Sequence, residues 1–210
     1  MVTFDVKAAE ALEEKYDSGL HTRAVAAPLV SFTFVFSILF AAYHYITAGI
    51  GVPIDYWHMG FHMSGVIVLV FIGYPLLKND RAWDMHPNTW WRYGNVPIWD
   101  WLLIVAGISA SLYVGVTWYA IDFTFVGYHF SLPDQVMRQG DPATIDGVFG
   151  TILIVVLLEA VRRTLGIVVP IIILTFTAYA IFGKYIPVQI LRHPGISWAQ
   201  YINNMYFPAE

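Results

Sequence analysis

Two long apolar runs, Val148 to Leu158 and Ile167 to Phe182, are separated by a short charged segment, Glu159-Ala160-Val161-Arg162-Arg163. A chain built this way has few options. Apolar blocks of this length predict membrane-spanning helices. A carboxylate and two guanidiniums then fall where one span ends and the next begins. On a helix Glu159 stands i,i+3 to Arg162 and i,i+4 to Arg163, with the acid on the N-terminal side, the better orientation for pairing. Paired charges are tolerated at a bilayer edge, whereas single charges at its centre are costly.

The remaining sequence extends this pattern. Of 210 residues, 58% are hydrophobic and 12% charged. A soluble domain carries roughly twice that share of charge. Five spans are expected: Ala24 to Gly49, His58 to Leu77, Ile98 to Ile121, Gly147 to Val161 and Leu165 to Phe182. Each is near the ~20 residues needed to cross ~30 Å of hydrocarbon. The fourth is short, and a turn from Ala143 would lengthen it. The fourth and fifth leave a broken or re-entrant pair open. Pro170 lies near the start of the fifth, where proline costs little. The expected fold class is an all-α integral membrane bundle of about five helices, with short interfacial helices. Residues 1–23 form a cytoplasmic segment, 24–183 the bundle and 184–210 an extracytoplasmic interfacial segment.

Charge orients the bundle. With the N-terminus inside, Lys7, Lys15, Arg23, Lys78, Arg81, Arg92, Arg162 and Arg163 are cytoplasmic. Only Arg138, Lys184 and Arg192 are outside, which satisfies the positive-inside rule. The outer loop Asp122 to Asp146 holds four aspartates and one arginine. Asp5 to Tyr16 reads as a solvated helix, and Asp80 to Asp100, rich in Trp, Asn and Pro, as an ordered interfacial segment. Ser197 is placed to cap a short amphipathic helix carrying Trp198, Tyr201, Ile202, Met205 and Tyr206. A net charge of -4 without a basic block gives no sign of nucleic acid. The absence of cysteine excludes disulfides and thiolate chemistry. The N-terminus lacks a signal-peptide pattern.

From about Asp146 to Glu210 the chain resembles the N-terminal membrane region of fused TRAP transporter permeases of the TAXI type. The matching residues are Leu158-Glu159-Ala160 with Arg162-Arg163 and Gly166, then Pro170-Ile171-Ile172. Tyr179-Ala180-Ile181-Phe182-Gly183, Ile186-Pro187 and Tyr206-Phe207-Pro208-Ala209-Glu210 follow in order. Glu13-Glu14-Lys15-Tyr16-Asp17 resembles the same family's start, and the first three spans match in layout. The resemblance implies a small, scaffolding membrane subunit of a secondary transporter that takes up organic anions. The implied partners are a large permease subunit and an extracytoplasmic TAXI-type binding protein, in the lipid bilayer of a bacterial or archaeal inner membrane. A sodium gradient is implied for the whole complex; the chain itself would carry no cofactor and no enzymatic activity. Glu159, Arg162, Arg163, Gly166, Pro170, Tyr179 and Gly183 become candidates for structural or partner-interface roles. The chain ends where the large unit of a fusion would start, so it reads as a stand-alone small subunit or half of a split fusion.

Other residues carry weaker readings. His44 lies near the outer end of the first span, and His58 and His62 stand i,i+4 at the outer start of the second. Two imidazoles from facing helices could ligate a b-type haem, which makes a redox-complex membrane anchor the alternative function. The same histidines could equally bond water or backbone. Asp100 and Asp122 flank the third span and are expected to face water. Small residues in the first span (Ala41, Ala42) and the third (Gly107, Ser109, Ala110, Ser111, Gly115) allow close helix approach, most simply within the bundle. No span carries a carboxylate at mid-depth, where an ion relay would need one. No metal-ligand spacing, nucleophile–base pair or phosphate loop stands out.

Overall fold

The computed structural model describes residues 22–52, 55–76 and 91–207. The expected helix over Asp5 to Tyr16, most of the Trp-rich segment and the final Pro208-Ala209-Glu210 lie outside them. Among the described residues, five helices are long and apolar enough to cross a membrane. They are α1 (Ala27–Ile50), α2 (Asp55–Gly73), α3 (Ile98–Val116), α5 (Thr144–Leu165) and α6 (Val168–Phe182), the last continued by a 3-10 turn to Tyr185. Among the described residues there are also two short α-helices, α4 (Gln135–Arg138) and α7 (Trp198–Tyr206), and a 3-10 turn over Gln189–Leu191.

Local chemistry sets the ends. Pro28 sits in the first turn of α1, where its missing N–H is no loss. The fourth span is longer than the apolar count suggests. Asp146 accepts the Ala143 N–H at 2.7 Å, so a full turn is added ahead of the apolar run. Gly166 ends α5 with φ 84°, a conformation that favours glycine, and α6 starts two residues later. The third span stops at Val116 rather than Ile121, and Ile121 begins a strand instead.

The helices are unequally buried. α2, α3 and α5 pack together and supply most of two hydrophobic clusters. One holds Ile67, Phe71, Ile104 and Val156; the other holds Tyr56, Tyr113 and Val114 with Ile202 and Phe207. Close approach is built in: a Cβ at Gly60 would meet the Ser111 carbonyl oxygen at 2.5 Å, and one at Gly107 would meet Ile67 and Val156. The small residues of α3 therefore serve packing inside the bundle, apart from the exposed Ser109. Ala41 and Ala42 of α1 do not; both are exposed. α1 and α6 are outriggers that expose Phe34, Leu39, Leu174 and Phe176. α1 is seated by Leu29 over Gly94 and by Phe40 over Gly65.

Two β-hairpins among the described residues modify the all-α expectation. β1 (Arg92–Tyr93) and β2 (Val96–Pro97) pair through a Gly94-Asn95 turn in which both residues have positive φ. β3 (Ile121–Phe125) and β4 (Tyr128–Leu132) form a longer ribbon in the connection between α3 and α4, with Ile121 opposite Leu132 and Phe125 opposite Tyr128. α7 follows the expected pattern. The Ser197 hydroxyl accepts the Gln200 N–H at 3.2 Å, and the Gln200 side chain accepts the Ser197 N–H at 3.0 Å, a capping box. The helix folds back onto the bundle and buries Tyr201, Ile202 and Tyr206.

Candidate functional site

The polar groups of the described residues gather at the two ends of the bundle. At the end where α5 finishes, the expected pairing is present. Arg162 grips Glu159 with two bonds, Nε–Oε2 at 2.7 Å and Nη2–Oε1 at 2.8 Å. Arg163 Nε reaches Glu159 Oε1 at 2.7 Å. The network then goes further than helix spacing predicts. Arg163 Nη2 donates to Asp100 Oδ1 at 2.8 Å, and Arg23 Nη2 donates to Asp100 Oδ2. Asp100 is fully buried, which corrects the expectation that it faces water. Its position in the first turn of α3 suits it, because the helix dipole favours an acid there.

The same arginines finish α2. Four C-terminal carbonyls of a helix have no partner of their own. Here Phe71 O accepts Arg23 Nη1 at 3.1 Å, and Gly73 O accepts the Arg23 N–H at 2.6 Å. Beyond the helix, Tyr74 O accepts Arg163 Nη1 at 3.2 Å and Leu76 O accepts Arg162 Nη2 at 2.9 Å. The Arg163 guanidinium also lies over the Phe71 ring, 4.6 Å from its centre. Burial pushes the Arg23 guanidinium below the usual arginine value, and Asp100 beside it pulls the other way. The cluster thus ties the segment before α1 to the ends of α2, α3 and α5.

The opposite end has its own cluster, centred on Asp146, which in the sequence stands out only as a loop charge. Asp146 is fully buried. It accepts the Tyr113 hydroxyl at 2.7 Å on Oδ1 and Arg138 Nε at 3.0 Å on Oδ2, besides capping α5. Arg138 also donates to Thr117 Oγ1 at 3.1 Å and to the Pro133 carbonyl, and it lies against the Phe207 ring. Asp134 caps α4 by accepting the Met137 N–H at 3.0 Å, which holds Arg138 in place. The available signal was the pair Arg138 and Asp146 around a capping position. It was masked by the loop's net acidity.

The three histidines do meet. His62 Nδ1 and His44 Nε2 are 2.8 Å apart, and the Tyr43 hydroxyl lies 3.0 Å from His58 Nδ1. The His44 and His58 rings are 5.3 Å apart. This arrangement does not fit a bis-imidazole haem. Nitrogens trans on one iron stand about two metal–imidazole bonds apart, ~4 Å, with the macrocycle between them. Here they touch directly. Among the described residues no three His, Asp or Glu side chains form a group that could hold a metal ion. The polar contacts instead clasp α1 to α2.

The residues that carry the family resemblance have structural positions. Pro170 is buried in the first turn of α6. The Tyr179 hydroxyl donates to the Leu191 carbonyl at 2.9 Å, and Tyr179 O lies 3.1 Å from His193 Nε2. Gly183 is pressed against the His193 ring, where any side chain would collide. These contacts fold the stretch after α6 back on its end. At mid-depth the hydroxyls of Ser64, Ser109, Thr175 and Thr177 donate to carbonyls one turn back in their own helices. Apart from Glu159, which lies nearly two turns inside the end of α5, the charged residues among the described residues lie in the first or last turn of a helix or outside the helices. No family model matches the chain, and neither the curated proteins nor the solved structures provide a match.

Proposed function

We propose that this chain is the small, scaffolding membrane subunit of a TRAP-type secondary transporter of the TAXI kind. It holds a larger permease subunit in an inner membrane while an extracytoplasmic binding protein delivers an organic anion. The observation that carries this reading is the division of the bundle. Buried charge ties α3 to α5 at both ends and the end of α2 to them at one, and α1 and α6 leave broad apolar faces free. A substrate path would need polar side chains or broken helices near mid-membrane. The buried charges of the described residues are spent instead on rigidity. A rigid body with two outward apolar flanks suits a stator, against which another subunit moves. The resemblance over Asp146 to Glu210 supplies the family. It also places Pro170, Tyr179 and Gly183 on α6 and its end, beside one of those flanks.

The test combines location with activity. The chain has no cysteine, so single cysteines at Phe34 on α1 and Phe176 on α6 report each flank separately. Co-expressed with its large subunit, at least one flank should cross-link to it. Proteoliposomes with a sodium gradient and binding protein should take up organic anions only when both subunits are present. Uptake by this chain alone, or full uptake by the large subunit without it, would overturn the scaffold.

A further inference from the structure

We propose that the β3–β4 ribbon is a membrane-interface anchor that lays its aromatic face on the lipid surface beside the bundle. Antiparallel partners point to the same side of a sheet, so the register sorts the ribbon into two faces. One carries Ile121, Phe123, Phe125, Tyr128, Phe130 and Leu132; the other carries Asp122, Thr124, His129 and Ser131. The first holds one polar atom, the Tyr128 hydroxyl. The second includes an Asp122–His129 contact at 3.3 Å. Exposure along the apolar face rises from root to tip: Leu132 4%, Phe130 36%, Phe123 53%, Phe125 70% and Tyr128 82%. The root is fixed in the bundle, and the rest extends beyond it.

Depth selects lipid as the occupant. The ribbon departs five residues after α3 ends and rejoins the chain ahead of α5, both of them candidate spans. Its root is therefore at the hydrocarbon boundary. Strands of five residues reach ~17 Å. The headgroup layer is about 5–8 Å thick on each side. An upright ribbon would carry its aromatic tip through that layer into water, whereas a flat one keeps it at the boundary. Complete sorting of charge from aromatic surface is the signature of an interfacial element, and Tyr belongs at that level. A protein-docking face would mix hydrogen-bonding groups with apolar ones. The tip adds an independent sign. Val126 has φ 46°, a region where a β-branched residue is strained, and its side chain is exposed. Strain kept at an exposed apolar tip points to use of that side chain. With Asp122 the one acid and no Lys or Arg between Ile121 and Leu132, contact does not need anionic lipid.

The experiment is a fluorophore scan through single cysteines at Phe123, Thr124, Phe125, Tyr128 and Ser131, in nanodiscs of pure phosphatidylcholine. Labels at Phe123, Phe125 and Tyr128 should be blue-shifted and quenched by nitroxide-bearing lipid. Labels at Thr124 and Ser131 should be quenched by aqueous iodide, giving a two-residue alternation along each strand. Val126→Asp should abolish the lipid quenching at Phe125 while leaving the thermal midpoint of the bundle unchanged, because the tip packs against neither core cluster. Iodide quenching at all five positions would overturn the proposal. So would protection of Phe125 and Tyr128 that arises only when a protein partner is added.

Discussion

The two ends of the bundle solve the same problem with different wiring. At one end three arginines (Arg23, Arg162, Arg163) share two acids (Asp100, Glu159). At the other, one arginine and one acid are joined by hydroxyls from Tyr113 and Thr117. The first cluster is assembled over long separations, with Asp100 77 residues from Arg23 and 63 from Arg163. The second is more local, with Arg138 only eight residues from Asp146. The difference matters because a buried pair gives little net stabilisation, while removing one partner strands the other. A shared acid strands more. The cationic end is therefore the one where a single change should do the most damage.

That ranking can be broken. Asp100→Ala leaves the Arg23 and Arg163 guanidiniums without their shared carboxylate, both buried. Loss of a partner in a buried pair costs about 3–5 kcal/mol, and Asp100 should fall at the top of that range. Asp146→Ala strands one guanidinium, that of Arg138, with two neutral donors, the Tyr113 hydroxyl and the Ala143 N–H, and should fall lower in that range. Thermal unfolding in matched nanodiscs gives both values, and the reverse order would refute the sharing argument. Independence of the ends is a second test. Asp100 and Tyr113 are 13 residues apart on α3, ~20 Å along the axis. Combined Asp100→Asn and Arg138→Met should add to within about 0.5 kcal/mol, whereas Asp100→Asn with Glu159→Gln should couple through Arg163 by more than that.

How much of this was legible follows from the range of each interaction. The Glu159–Arg162–Arg163 contacts depend only on helical spacing, which the order of residues already contains. The spans are legible for a similar reason, since a bilayer demands long apolar blocks. From sequence Asp100 reads as a wet residue, because its partners lie far away along the chain. Burying an acid at a helix start made sense only once α2, α3 and α5 were placed side by side. The β3–β4 ribbon was legible in principle: Ile-Asp-Phe-Thr-Phe and Tyr-His-Phe-Ser-Leu alternate strictly about Val126-Gly127. Windows tuned to ~20-residue spans pass over a five-residue alternation. Gly183 and Tyr179 stand out in the sequence through resemblance, but their reason, a chain folded back onto His193, exists only in three dimensions.

Glu159→Gln probes the cationic end at its more solvated edge. Glu159 and Arg162 are partly exposed, so water compensates much of the loss. Arg163 keeps Asp100. The expected cost is ~1–2 kcal/mol, between exposed and buried pairs. Detergent melting with a matched Arg162→Met variant checks it. A loss as large as that of Asp100→Ala would mean that Glu159, and not Asp100, holds the two arginines.

The smallest effect concerns the opposite end, where α7 is tied down. The Tyr206 hydroxyl donates to the Ala110 carbonyl on α3, and its ring lies among Tyr113, Phe207 and Gly150. Tyr206→Phe keeps the ring and loses the bond, which costs about 0.5–1.5 kcal/mol near neutral pH. Burial pushes the Tyr206 hydroxyl well above the usual tyrosine value, with Tyr113 and Asp146 nearby adding to the shift. The folded state therefore holds this proton more tightly than the unfolded chain does. Its stabilisation is complete below the unfolded value of about 10 and shrinks as pH rises past it, because only the unfolded chain then gains by ionising. Phenylalanine has nothing to ionise. The gap between wild type and Tyr206→Phe should accordingly close above pH ~10, at a rate of up to about 1.4 kcal/mol per pH unit. Melting curves of the two proteins at pH 8 and pH 11 decide the matter. A gap that stays constant between them would mean that the hydroxyl is open to water and that α7 is held by its apolar face alone.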